Sequence, residues 1–406
     1  MENLHLINTK KFKTITVEFR FAKEFDSFSK ARLILLSRLL CIYSEKYPDK
    51  VSMTKVRDLL YGIKAGSKVR FNNSLGLMFI RFQFVNPKFL TDVKMNDYIA
   101  FIDECLKHPF ISETLFEEAR NNLISDIKRS LEKPRNQELE RIHDLISEDI
   151  KEFSNYKKDI ISDLEKVTID ELKKVYADLF TDYKKDIFVV GEYDDELVDY
   201  LSTYLLSNKE CKEKDTIYDL KVREDIIEDT IADQSYLSIV YQSPYTRSHE
   251  DYFAFVLTNM LFGGSPLSLL FQEVREKRSL CYFIDTIPNR NLGLVRVTTG
   301  IDKDKFDEAR QEIDRQLKRL RDGDFDQALI DSSKRLMLNN IDSISDDLDD
   351  YIDFLYNNLL SYYPFDIDEY KEKIMAVSKE DIQRVASNYK PYLCHFLRGI
   401  NNEETL

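Results

Sequence analysis

Residues 261–282 read LFGGSPLSLLFQEVREKRSLCY, a double glycine feeding an amphipathic segment that closes on basic residues and a tyrosine. Gly263 and Gly264 free the backbone from side-chain constraint. Ser265 followed by Pro266 has the order of an N-cap and a first helical residue, so a helix is expected from that point. Leu267, Leu269, Leu270, Phe271 and Val274 give it an apolar stripe, and Glu273, Arg275, Glu276, Lys277 and Arg278 fill the other face. Arg275 and Tyr282 share a face if the helix continues, and stay close if the chain turns between them.

Around this stretch the second half reads in a regular order. A strand is expected near residues 235–242, a helix over 249–262, and strands near 281–286 and 293–299. Helices follow over 303–321, from about 325 and over 347–360, then a helix capped by Ser378 with Asp381, and a strand at 393–397. The first half carries the same words: a strand at 14–21 alternating as if half-buried, a helix over 27–44, a second over 54–61, and a hairpin of 67–72 and 77–85. From Asp97 the pattern is helical to about residue 159. Thr168 with Glu171 then caps a helix to 180, a buried strand covers 186–190, and a helix covers 195–206.

Particular residues recur between the halves. Val167, Thr168, Glu171 and Val175 return as Val377, Ser378, Asp381 and Val385. Phe116 and Ala119 return as Phe325 and Ala328, and Val56, Leu75, Gly76 and Leu77 as Val274, Leu292, Gly293 and Leu294. Nearly constant separations of this kind mark an internal repeat. The expected fold is α+β and duplicated, each half an antiparallel sheet with helices packed on it. The domains span 1–206 and 216–406, joined by the polar linker 207–215 (SNKECKEKD).

Composition narrows the function. A chain of 406 residues exceeds one ordinary core, and 43% hydrophobic content suits a folded rather than a disordered chain. The net charge of −14 leaves no basic stripe for a phosphate backbone, which excludes nucleic acid as the main partner. The N-terminus lacks an apolar signal region and no apolar run reaches about 18 residues, so a cytoplasmic chain with no membrane partner is expected. Cys41, Cys105, Cys211, Cys281 and Cys394 are scattered and odd in number, the pattern of reduced thiols, and Cys41 reads as a buried small hydrophobe rather than a nucleophile. His5, His108, His143, His249 and His395 never fall within one helical turn of each other, so paired helical histidines cannot hold zinc here. Asp346, Asp347, Asp349, Asp350 and Asp353 lack the glycine and closing glutamate of a calcium loop and read as a solvated helix start.

A duplicated α+β chain carrying this segment resembles the insulinase and pitrilysin metallopeptidases, in the short-chain branch that includes the mitochondrial processing peptidases. The resemblance spans nearly the whole chain, but only residues 261–282 are motif-like. It implies two chains, or two linked halves, closing like a clam shell around a peptide. One half brings an HxxEH zinc motif and a later Glu, and the other an Arg and a Tyr. Arg275 and Tyr282 match the latter as substrate-binding residues. Gly263 and Gly264 either line the chamber as a substrate loop or only end the preceding helix. Aligning the first helix on its apolar stripe sets Arg38, Cys41 and Ile42 at the motif's positions. Ser125, one heptad beyond Glu118, falls where the last ligand belongs.

The resemblance therefore implies a chain with no cofactor of its own and no hydrolysis alone. Its partner is a zinc-bearing insulinase-like homologue, in a heterodimer that cleaves a peptide. Arg275 and Tyr282 would stabilise the oxyanion and hold the substrate across the chamber. The alternative is an assembly protein that kept the fold and has no part in proteolysis, with Arg275 paired to Glu273 or Glu276 on a solvated face.

Overall fold

The computed structural model describes residues 3–72, 74–150, 157–205, 209–344 and 346–400. The chain divides into two compact units, one of Met1–Arg129 with Asn155–Cys211 and one of Ser130–Ser154 with Lys212–Leu406.

In the first unit β1 (Leu4–Asn8), β2 (Thr14–Glu24), β3 (Lys64–Asn72), β4 (Leu75–Val85) and β5 (Lys184–Gly191) form one sheet in the order β1-β5-β2-β4-β3. β1 runs parallel to β5 and every other pair is antiparallel, so the sheet is mixed rather than purely antiparallel. The helices α1 (Ser27–Ser37), α2 (Lys50–Leu59), α3 (Met95–Lys107), α4 (Glu113–Leu131), α6 (Lys157–Lys166), α7 (Ile169–Thr181) and α8 (Asp195–Ser202) complete this unit. The helix α5 (Pro134–Asp149), which lies between α4 and α6 in the chain, belongs to the second unit. Part of the long helical region expected after Asp97, residues 151–156, lies outside the described residues.

Two first-half expectations are corrected. β2 is buried on both faces, because its charged residues are paired instead of solvated: Arg20 Nε donates to Glu18 Oε1 at 2.7 Å and Arg81 lies 3.7 Å from Glu18. α1 ends at Ser37 rather than at residue 44. Leu39 and Leu40 continue the apolar pattern and are buried, but Cys41 adopts a left-handed φ of 63°, which no α-helix accommodates.

The second unit repeats the plan. β6 (Ile226–Ile231), β7 (Ser235–Gln242), β8 (Cys281–Asn289), β9 (Leu294–Ile301) and β10 (Lys390–Ile400) lie in the order β6-β10-β7-β9-β8, with β6 parallel to β10. Each strand holds the place of its counterpart five strands earlier, so the repeat read from the sequence is a repeat of topology. The helices are α9 (Tyr252–Phe262), α10 (Phe306–Asp322), α11 (Gln327–Ile344), α12 (Leu348–Leu360), α13 (Ile367–Ala376) and α14 (Lys379–Ser387). α10 starts later than expected, since β9 runs on to Ile301 and a turn follows in which the Lys305 N–H donates to the Asp302 carbonyl. Asp347 is the N-cap of α12, accepting from the N–H groups of Asp349 and Asp350, as a solvated helix start requires. The two capping boxes form as read, Thr168 with Glu171 ahead of α7 and Ser378 with Asp381 ahead of α14.

The core of this unit packs Phe255, Leu257, Leu261 and Phe262 of α9 with Leu237 and Tyr241 of β7, Val295 and Val297 of β9, and Ile313 and Leu317 of α10. A second apolar cluster joins Ile142, Leu145 and Ile146 of α5 to Val240, Leu294 and Leu393 of the sheet. Polar links frame that seam. Arg141 Nε donates to both Glu228 carboxylate oxygens at 2.9 Å, and the Tyr392 hydroxyl donates to Asp149 at 2.7 Å.

Candidate functional site

The chain leaves α9 at Gly263, whose N–H closes the helix on the Asn259 carbonyl. Gly263 is buried, and a Cβ there would stand 2.4 Å from the Thr286 methyl carbon. Gly264 lies partly buried against Asn259 and Met260. Close packing on β8 therefore accounts for the first glycine without a ligand. Ser265 and Pro266 do not start the next helix as expected. They form a turn in which the Ser268 N–H donates to the Ser265 carbonyl, and Ser268 caps the helix by accepting from the Phe271 N–H at 3.3 Å.

The segment Phe271–Lys277 then winds as a π-type helix, wider than the α-helix its apolar stripe suggests. Val274 is fully buried beneath it. Arg275 points outward with 39% of its side chain exposed, its guanidinium 4.5 Å over the Phe271 ring and 3.6 Å from Glu276. Glu273 pairs instead with Lys277 at 2.8 Å and Arg319 at 3.2 Å, and the Lys277 bond holds its carboxyl below the usual glutamate value. Ser279 turns the chain with a left-handed φ of 51°, and β8 begins two residues later.

Tyr282 sits at a fault in β8. Cys281 pairs with Ile301 and Phe283 with Gly300, which leaves Tyr282 as the extra residue of a bulge. Its side chain is 63% exposed, and its hydroxyl donates to Asp302 Oδ1 at 3.0 Å. Accepting that proton, the Asp302 carboxylate keeps the phenol above its ordinary pKa. Arg275 and Tyr282 thus sit on a helix and an edge strand that pack together, joined by the turn at Ser279.

The first unit offers an internal comparison. There α2 is a regular α-helix, and the register of β3 with β4 runs unbroken from Lys64 opposite Gln83 to Asn72 opposite Leu75. The π winding and the bulge are departures from the duplicated plan, and they flank Arg275 and Tyr282. Apolar spacing carries no signal for either one.

The positions aligned with the zinc motif are dispersed. Arg38 is the C-cap of α1 and reaches Asp126 of α4 at 3.5 Å, next to the exposed Ser125. Cys41 is buried, and burial pushes its thiol well above the ordinary value. Ile42 faces solvent. Among the described residues no group of three or more His, Cys, Asp or Glu is placed to hold a metal ion. No helix among them is long and apolar enough to cross a membrane.

Residues 166–337 match the family described as peptidase M16 inactive domain. That segment of the chain is similar to a peptidase M16 inactive domain. It is 24% identical over 97% of its length to a probable inactive metalloprotease, YmfF, of Bacillus subtilis (strain 168), of which it covers 95%. A conserved protein from Enterococcus faecalis V583 superposes with a TM-score of 0.87 at 25% identity, over 98% of this chain and 96% of that one. A peptidase M16 inactive domain from Pseudomonas fluorescens has the same fold, with a TM-score of 0.78 at 12% identity over 98% and 96% of the two chains. The chain is thus similar along its length to a probable inactive metalloprotease, and it has two mixed five-stranded sheets.

Proposed function

We propose that this chain is the non-catalytic subunit of a two-chain zinc peptidase, lending Arg275 and Tyr282 to a peptide held by a zinc-bearing homologue. The supporting observation is asymmetry within a duplicated fold. The second unit departs from its copy at a π winding and a β-bulge, and both present exposed polar side chains. Such irregularities concentrate where a side chain must be re-aimed. The chemistry needs what these residues supply. Zinc in the partner would generate the nucleophile, while the substrate backbone and the developing oxyanion require fixed donors. Gly263 and Gly264 enter this reading as the tight turn, next to the chamber, that delivers the segment.

Reconstitution tests the proposal. The purified chain is mixed with the HxxEH-bearing homologue and a quenched fluorogenic peptide, and cleavage should depend on both chains. Arg275→Ala should lower kcat/KM by about 100-fold, the scale of one lost oxyanion donor. An unchanged rate in Arg275→Ala and Tyr282→Phe would instead favour the assembly role, in which Glu276 and Asp302 are these residues' only business.

A further inference from the structure

The hydrogen bond between Tyr282 and Asp302 has a direction. An ionised carboxylate carries only lone pairs, so the proton in the 3.0 Å contact is the tyrosine's. A phenol has one proton and two acceptor lone pairs. With its proton committed, Tyr282 offers an incoming group an acceptor, whereas Arg275 has only donors.

The bulge that carries Tyr282 is held in register by its neighbours. Cys281, on one side of Tyr282, is buried, and the carbonyl of Phe283, on the other, accepts from Thr299 Oγ1 at 2.6 Å. Opposite, Gly300 is packed so tightly that a Cβ would come within 2.7 Å of the Phe283 ring and 2.5 Å of the Gln234 amide. The hairpin cannot slip by one residue without a collision there, so the backbone at Tyr282 is held in register and its side chain is oriented by the bond to Asp302. Asp302, the first residue past β9, is held in a turn by the bond its carbonyl accepts from the Lys305 N–H at 3.0 Å.

We infer that Asp302 is a positioning residue: it takes the Tyr282 proton, so that the phenol oxygen accepts a backbone N–H from an extended peptide while Arg275 donates to a carbonyl. The two residues then recognise opposite ends of peptide units and select backbone rather than side chains. The inference rests on the proposed peptide-binding role and divides the labour within it, since Tyr282 is no longer an oxyanion donor.

The test uses the reconstituted pair and a fluorogenic peptide made in a series, each member N-methylated at one amide. Tyr282→Phe and Asp302→Ala should each raise KM by about 5- to 10-fold with kcat little changed, the scale of one hydrogen bond. Asp302→Asn, which keeps an acceptor oxygen, should restore KM to near wild type. One N-methylated peptide should lose binding to the wild-type pair and lose nothing further with Tyr282→Phe. Separately, 3-nitrotyrosine placed at position 282 of the full chain should titrate at lower pH once Asp302 is Ala. A rise in kcat in Asp302→Ala would overturn the inference, because it marks a phenol proton released to serve an oxyanion. So would the absence of any amide coupled to Tyr282, or an unmoved nitrotyrosine titration. If the pair cleaves nothing, the two-chain reading fails, and the nitrotyrosine titration still decides whether Asp302 holds Tyr282.

Discussion

Arg57 donates from Nη2 to the Cys41 carbonyl at 2.6 Å, tying α2 to the left-handed residue that follows α1. The bond fixes a turn at the place where the resemblance to zinc peptidases calls for a helix. Metal-binding side chains placed there would therefore lack a helix to align them.

Restoring the side chains alone should fail. In the variant Arg38→His, Cys41→Glu, Ile42→His the new groups would cap a helix, face the interior and face solvent, respectively. Zinc content by elemental analysis should stay far below one per chain. The buried Glu should also cost about 2 kcal/mol or more of stability in denaturant titration. Stoichiometric zinc would show that the turn can rewind into a helix.

Gly263→Ala separates packing from ligand binding. The added methyl meets the Thr286 methyl at 2.4 Å, and overpacking of that kind costs about 1–3 kcal/mol. Thr286→Ser removes the obstructing carbon and keeps the hydroxyl that donates to the Asn259 carbonyl at 3.3 Å, so the double variant should recover much of the loss. Thermal melts of the three variants decide the point. Recovery absent in the double variant would send the explanation back to backbone freedom.

A fragment of residues 212–406 should aggregate when expressed alone, because without α5 it exposes Val240, Leu292, Leu294, Tyr392 and Leu393. Fusing residues 130–154 to it through a flexible linker should restore a soluble species by size exclusion. Equal solubility with and without the added helix would mean that the α5 seam contributes little.

Acid should loosen the same seam. The bond from Arg141 depresses the Glu228 carboxyl, with burial opposing and His395 adding to the effect. A depressed folded pKa contributes stability that is present above the unfolded value, about 4.3, and lost as pH falls through the folded one. Glu228 is more than a third exposed, so Glu228→Gln should cost less than about 1 kcal/mol near neutrality. Its difference from wild type should shrink as pH drops below about 4, measured by urea unfolding at several pH values. A difference independent of pH would assign the effect to packing.

Much of the plan is legible in the residues. Thr168 with Glu171 and Ser378 with Asp381 announce two helix starts by their own hydrogen bonds, and the turn residues around Asn72 and Gly76 announce the β3–β4 hairpin. Elements whose identity depends on neighbours stay hidden. β1 and β6 are short edge strands with alternating partial exposure, which only their parallel partners turn into sheet. α13 is likewise not foreseen. Leu39 and Leu40 prolong an apolar pattern that serves burial rather than helix, and so α1 reads too long. At the candidate site the residues Arg275 and Tyr282 are visible in advance, but the winding and the bulge that aim them are settled by packing against Val274, Ser279 and Gly300.

The place of α5 also bears on how the chain is made. Its apolar residues Ile142, Leu145 and Ile146 leave the ribosome long before Leu393 of the last strand, against which they pack. Until then that helix has only the part of its native surface that Val240 and Leu294 offer, and closure over so long a loop is slow. The second sheet can be finished only once β10 has been made, so chains stalled before Leu393 should be the ones that chaperones hold and proteases remove.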